Sequence, residues 1–174
     1  MKKLQMPFRI WVLIPIFFVL GIIGCSPQIL ALPSHIHTVG VAVFQNQTSR
    51  YGLETELTSD IIQQFQVDGR LSVVSPSKAD LLVKGRILYY SRDPILYNTT
   101  NNLVLQYRLV FTYDVEAIDQ TDGRSLFEEK NQMGTIFYYT NNEPGAITQT
   151  QDQAENQLMQ ETAQIIVHKI LLGY

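Results

Sequence analysis

The chain has 174 residues, 45% of them hydrophobic, with 13 Lys+Arg against 16 Asp+Glu and one cysteine. That length suits one domain with a real core. The slightly acidic balance, with no basic block and no interleaving of Arg with aromatics, excludes a nucleic-acid binder, and a lone cysteine excludes an internal disulfide.

Lys2, Lys3 and Arg9 precede an apolar run from Ile10 to Ile23, broken by Pro15 and Gly21. This run is shorter than the roughly 20 apolar residues of a membrane span. It ends at Ile22-Ile23-Gly24-Cys25, with a small residue directly before the cysteine. Plain secretory leaders end in small residues at two spaced positions, whereas Ile22 is bulky. The segment resembles a bacterial lipobox, which implies that residues 1–24 are a signal peptide and that Cys25 carries a diacylglycerol. Ser26 rather than Asp after the cysteine implies, by the same resemblance, the outer membrane. Loss of the three basic residues of 1–24 takes the formal charge from −3 to −6.

Residues 25–37, with Pro27 and Pro33, read as a lipidated tether, and 38–174 as one domain. Val39 to Phe44 is an apolar run of strand length, as expected of a strand covered on both faces. Thr48 and Ser49 are candidate N-caps for a helix with Leu53, Leu57, Ile61 and Phe65 along one stripe. Asp68-Gly69 ends that helix, and Leu71–Val74 forms a short strand parallel to the first, reached by a crossover. Leu81–Tyr90 carries Leu81, Val83, Ile87 and Tyr89 on one face and Lys84 and Arg86 on the other.

Leu103–Ile118 alternates most cleanly: odd positions from Leu103 to Ala117 are apolar, and even positions include Gln106, Arg108, Thr112, Asp114 and Glu116. Such alternation predicts a long antiparallel strand with one buried and one wet face. Asp119–Gly123 reads as a hairpin turn, and Leu126–Tyr139 as the returning strand, with a bulge or edge position near Glu128–Gln132. After a polar loop from Asn141 to Thr148, a helix is expected over Gln149–Leu172 with two stripes. One is a core wedge of Met159, Ala163, Ile166, Val167, Ile170 and Leu171. The other, Leu158, Ile165 and Leu172, is either the flank of a broad buried face or a partner-facing seam. The predicted fold is α+β, with two helices on one face of a mixed, mostly antiparallel sheet of four to five strands.

No phosphate loop, nucleophile elbow or cysteine metal site is present in the sequence. His35-x-His37 is too small a ligand set for a metal site, and Asp114 and Glu116 read as a solvated pair. A non-enzymatic protein without cofactor is expected. Tyr138 and Tyr139 cannot share a strand face, so at least one is a candidate partner contact.

In this order of elements, several segments resemble the lipopolysaccharide-assembly lipoprotein family LptE. They are Leu32-Pro-Ser-His-Ile-His-Thr-Val-Gly-Val-Ala-Val-Phe44, Asn46-Gln-Thr48, Gly52-Leu-Glu-Thr-Glu-Leu57, Asp68-Gly-Arg-Leu-Ser-Val-Val74, Ala79-Asp80, Gly85, Gln106-Tyr-Arg-Leu109, Gly123 and Gly134. Ser26-Pro27 departs from the Gly-aromatic pair common after the family's cysteine. The opening strand, helix and Gly-Arg-Leu-x-Val-Val are also similar to the N-terminal domain of TolB and related envelope lipoproteins, which bind partners. The LptE resemblance implies a plug and assembly partner for the outer-membrane barrel LptD that also binds lipopolysaccharide. Phosphate recognition needs cations, for which Lys84, Arg86, Arg92 and Arg108 are the candidates. Their alternative is pairing with Asp114 and Glu116. The loop from Asp93 to Asn102, which the resemblance puts near the glycolipid, has no Lys or Arg.

Overall fold

The computed structural model describes residues 32–172. Its elements in chain order are β1 (Thr38–Val41), β2 (Gln45–Asn46), α1 (Leu53–Asp68), β3 (Ser72–Val73), a 3-10 turn (Pro76–Lys78), β4 (Leu81–Tyr97), β5 (Val104–Asp119), β6 (Ser125–Tyr139) and α2 (Gln151–Leu172). They form one six-stranded sheet of order β3-β1-β4-β5-β6, with β2 pairing β4 beyond the end of β1. β1 runs parallel to β3 and β4, β2 runs parallel to β4, and β4, β5 and β6 are mutually antiparallel. The α+β reading therefore holds, with one strand more than expected, because the apolar run from Val39 is strand only as far as Val41 and the polar pair Gln45–Asn46 just past its end makes a strand of its own against β4.

Both helices bury their stripes against one sheet face. Leu53, Leu57, Ile61 and Phe65 of α1 and Met159, Ala163, Ile166 and Ile170 of α2 are each at most 1% exposed. They meet Leu109, Phe111, Val115 and Ala117 of β5, which are equally buried, so the alternation along that strand becomes an inside and an outside. Each large side chain so buried contributes about 1.5–3 kcal/mol. Gly85 lies beneath the Phe44 ring, and a Cβ there would stand 2.5 Å from the carbonyl oxygen of Asp114, so only glycine admits the lid.

Three local expectations change. Thr48 and Ser49 are not the N-cap of α1; Gly52 is, at φ 96°. Thr48 is instead tied into a turn in which its hydroxyl donates to Asn46 Oδ1 at 2.8 Å, while Asn46 Nδ2 donates to Glu54 Oε2 at 2.7 Å. β4 runs on to Tyr97 rather than ending at Tyr90. Pro94 is tolerated because β2 stops opposite Ile87, leaving this stretch as an edge. Finally, the described part of the expected tether is packed on the domain. Ile36 is 5% exposed, and the backbone N–H groups of His37 and Thr38 donate to Asp80 Oδ2 at 3.0 and 2.9 Å. The bulge expected near Glu128–Gln132 is present between Glu129 and Gln132, with Asn131 at φ 53°. No described helix is long and apolar enough to cross a membrane. Cys25 and residues 1–24 lie outside the described residues.

Candidate functional site

The helices leave the other face of β4, β5 and β6 uncovered. On it, Lys84 lies opposite Glu116, Arg86 opposite Asp114 and Arg108 opposite Asp93. Each pair closes an ion pair, at 3.2, 2.6 and 3.1 Å respectively. Asp114 loses some solvation, yet the backbone N–H of Asn131 and the Arg86 guanidinium outweigh that and hold its carboxyl below the ordinary range. Three of the four candidate cations are thus neutralised in place, and the uncovered face is a charge-balanced ladder rather than a positive patch. Exposed pairs of this kind contribute about 0–1 kcal/mol each.

The fourth candidate goes elsewhere. Between Ile87 and Tyr89 the β4–β5 register slips by one residue, so Leu88 is a bulge. Up to Ile87 the odd positions of β4 face the helices; beyond it the even ones do. Tyr90 therefore lies opposite Phe111 and Arg92 opposite Leu109. Arg92 is on the helix side of the sheet, not beside Arg86 and Arg108 as simple alternation predicts. Its guanidinium carbon sits 3.5 Å above the Tyr107 ring centre, and its Nε donates to the Tyr138 hydroxyl at 2.6 Å. Tyr107 and Tyr138 stack with centroids 5.6 Å apart. Such cation–π contact holds the guanidinium flat with about 0.5–2 kcal/mol. Every other described arginine is ion-paired: Arg50, Arg70, Arg86, Arg108 and Arg124. Arg92 alone among them has no carboxylate partner among the described residues, and it is exposed.

Beside Arg92 the β4–β5 hairpin carries exposed apolar side chains. Ile95, Leu96, Tyr97 and Leu103 are 40–48% exposed. The backbone N–H of Asn98 donates to Leu103 O at 2.8 Å and closes the loop, while Asn102 turns it at φ 56°. On the uncovered face, Tyr89, Met133 and Phe137 are more than half exposed. An apolar surface of this extent marks an interaction site more often than a free face.

The candidate partner contacts separate. Tyr138 is core, at 2% exposure, because its strand position points under α2; Tyr139, one residue on, is half-buried at the opposite face. Leu158 is also core, at 2%, seated over Gly134, where a Cβ would approach its Cδ1 to 3.2 Å. Ile165 is half-exposed and Leu172 half-buried, so the second stripe of α2 is not one seam. Its first residue belongs to the buried face. His35 Nε2 is bonded to Asp119 Oδ2 at 2.7 Å, and no group of three metal-ligating side chains exists among the described residues.

One polar centre escapes sequence reasoning altogether. Glu155 of α2 is 3% exposed and accepts from Arg50 Nη2 at 2.6 Å, from Gln151 Nε2 at 2.8 Å and from the Tyr90 hydroxyl. Burial raises the Glu155 carboxyl, but the hydrogen bonds from Arg50, Tyr90 and Gln151 outweigh burial and hold it below the ordinary range. Tyr90 is pushed well above the usual phenol range, first by desolvation and then by Glu155. The cluster ties the start of α2 to the loop before α1 and to β4 just past its bulge. Only the helical i, i+4 spacing of Gln151 and Glu155 was visible beforehand.

The family model described as LptE, lipopolysaccharide-assembly, matches residues 36–170. No curated protein sequence matches the chain. Among solved structures, a protein of Xanthomonas campestris is similar at TM-score 0.53 and 12% identity, covering 85% of this chain and 90% of that one. The PelC dodecamer of Paraburkholderia phytofirmans is similar at 0.50 and 14%, covering 77% and 89%. A hypothetical protein of Chlamydia trachomatis is similar at 0.50 and 13%, covering 80% and 97%. At these identities the likeness is one of fold.

Proposed function

The chain belongs to the lipopolysaccharide-assembly family LptE, and from that premise we propose that it is an outer-membrane lipoprotein, anchored through Cys25, that plugs and helps assemble the export barrel LptD. The observation that carries this reading is the uncovered sheet face, where exposed Tyr89, Met133 and Phe137 lie among ion pairs that leave no net charge to repel or select a charged partner. A surface of that kind suits a tight protein contact, with the aromatics as anchors. Affinity purification of the full-length lipoprotein from membranes in mild detergent is expected to recover a large β-barrel. Recovery of only periplasmic or peptidoglycan-associated proteins would overturn the barrel role in favour of a TolB-like interaction module.

The glycolipid contact falls to Arg92 rather than to the strand-face cations. Its guanidinium is oriented by Tyr107 and Tyr138, has no carboxylate partner among the described residues, and stands next to the apolar hairpin from Ile95 to Leu103. That combination offers charge-assisted donors to a phosphate and an apolar surface to acyl chains. Arg92→Gln is expected to weaken lipopolysaccharide binding roughly tenfold, the size of one hydrogen bond to a charged group. The pair Arg86→Gln with Arg108→Gln is expected to change it little. Equal losses in both variants, with unchanged thermal melts, would return the contact to the strand face.

A further inference from the structure

The stretch Leu88-Tyr89-Tyr90-Ser91-Arg92-Asp93 can lie against β5 in two ways, and the structure holds one of them. With the extra residue of β4 at Leu88, Tyr90 lies opposite Phe111, Arg92 opposite Leu109 and Asp93 opposite Arg108. Had the pairing of Ile87 with Tyr113 simply continued, each residue would stand one place along. Tyr89 would then lie opposite Phe111, Ser91 opposite Leu109, Arg92 opposite Arg108 and Asp93 opposite Tyr107. The extra residue would move to Ile95, where the ladder is already irregular between Pro94 and Leu96. Such a migration exchanges the faces of residues 89–93 and leaves the hairpin tip in place.

Most of the stretch is indifferent to this choice. Tyr89 and Tyr90 carry the same side chain, so either can fill the place opposite Phe111 and turn its hydroxyl to Glu155. Burial does not choose either, because the helix side is open at this end, where Arg92 and Pro94 are exposed. Two features do choose. The first is the stack with Tyr107 and Tyr138, which needs the Arg92 side chain on the helix side. The second is charge. In the observed register Asp93 meets Arg108 at 3.1 Å, whereas the other register sets Arg92 directly against Arg108 and carries Asp93 to the far face. Opposite charges facing each other across a strand pair stabilise it, and like charges destabilise it. Among the described residues no second charge is set against Arg108: β6 offers it Phe137, and its neighbours on the same face of β5 are Gln106 and Val110.

We infer that Arg108 is a positioning residue for Arg92: through Asp93, its charge holds the extra residue of β4 at Leu88 and so keeps Arg92 on the tyrosine stack. The consequence for glycolipid binding rests on the reading of Arg92 given above, whereas the choice of register does not. Stack and charge act in the same direction. Removing the charge leaves the stack to hold the register, by about tenfold. Reversing it sets a carboxylate against Asp93 in the observed register and against Arg92 in the other. Both opposed pairs then change sign at once, which moves the ratio of the two registers by about a hundredfold relative to the parent. Arg108→Gln and Arg108→Glu therefore differ in kind, although both break the same ion pair.

The test is solution NMR of the isotope-labelled full-length lipoprotein in detergent micelles, reading the cross-strand contacts of residues 89–93. The parent and Arg108→Lys are expected to show one set of resonances, with Arg92 against Leu109. Arg108→Gln is expected to add a second set at about a tenth of the first. In Arg108→Glu the second set is expected to rival the first, with Arg92 now against position 108. A response graded by the sign of one charge is not what a merely structural ion pair would give. A single set in folded Arg108→Glu, with Arg92 still against Leu109, overturns the inference, as does a second set of equal size in Arg108→Lys. Lipopolysaccharide binding on the same samples separates the two readings: binding at the parent level while the second set appears upholds the register role and removes Arg92 from the glycolipid contact.

Discussion

The same three long strands present two faces that obey different rules. Under the helices, Leu109, Phe111, Val115 and Ala117 of β5 are at most 1% exposed, and the polar groups admitted there, Glu155 and Thr162, are themselves buried at 3%. On the other side, the residues between them carry half-exposed ion pairs and exposed apolar side chains. One face holds the fold together, while the other is free to meet something else. The separation teaches that stability and recognition can be assigned to alternate residues of one strand, so their consequences can be measured apart.

The largest effect is expected where the covered face is densest. Phe111→Ala removes a ring that is 0% exposed and stacks with Tyr113 at 5.2 Å, and should cost about 3–5 kcal/mol in urea denaturation. A loss below about 1 kcal/mol would mean that this face is not the core.

An intermediate effect is expected at Glu155. Glu155→Gln keeps hydrogen-bonding capacity but removes the charge that Arg50 partners, at roughly 1–3 kcal/mol, below the usual cost of breaking a buried pair because Arg50 is partly solvated. Since the folded carboxyl sits below its ordinary value of 4.5, its contribution is present above that pH and is lost as pH falls through the folded value. The gap between parent and variant should therefore be full at pH 7 and close on acidification below about 4.5. Glu56 and Asp60 act oppositely, since burial raises both, so their strain is relieved as pH falls. A gap that stays constant from pH 7 to pH 3 would detach Glu155 from the acid transition.

The smallest effect belongs to the uncovered face. Arg86→Met breaks the 2.6 Å pair with Asp114 and should change stability by about 0–1 kcal/mol. A loss comparable to that of Phe111→Ala would erase the distinction between the faces.

Much of this division was legible in the sequence. The alternation from Leu103 to Ile118 is local, and so are the four-residue recurrence of Leu53, Leu57, Ile61 and Phe65 and the Asp68-Gly69 stop; each needs only its own neighbours to be read. The bulge in β6 also announced itself, as a break in phase near Glu128–Gln132. The candidate site was less legible. Lys84 and Arg86 pair with Glu116 and Asp114, the partners that strand alternation offers, whereas Arg108 pairs with Asp93, which the sequence puts in a loop. Of the candidate contacts, Tyr138 and Leu158 are core, which the face-sharing argument for Tyr138 and Tyr139 and the two alternatives for the second α2 stripe leave open.

The amino-acid order by itself determined the kind of the main elements and the apolar stripes that face inward, because side-chain period follows from backbone geometry alone. Tertiary structure decided the rest. Leu88 is a bulge only because β5 supplies one residue where β4 supplies two, and that single slip carries Arg92 from the polar ladder to the tyrosine stack. Glu155 is buried and ionised only because Arg50 and Tyr90, distant in sequence, converge on it. Register and charge compensation are properties of pairs, and no single stretch of chain contains its partner.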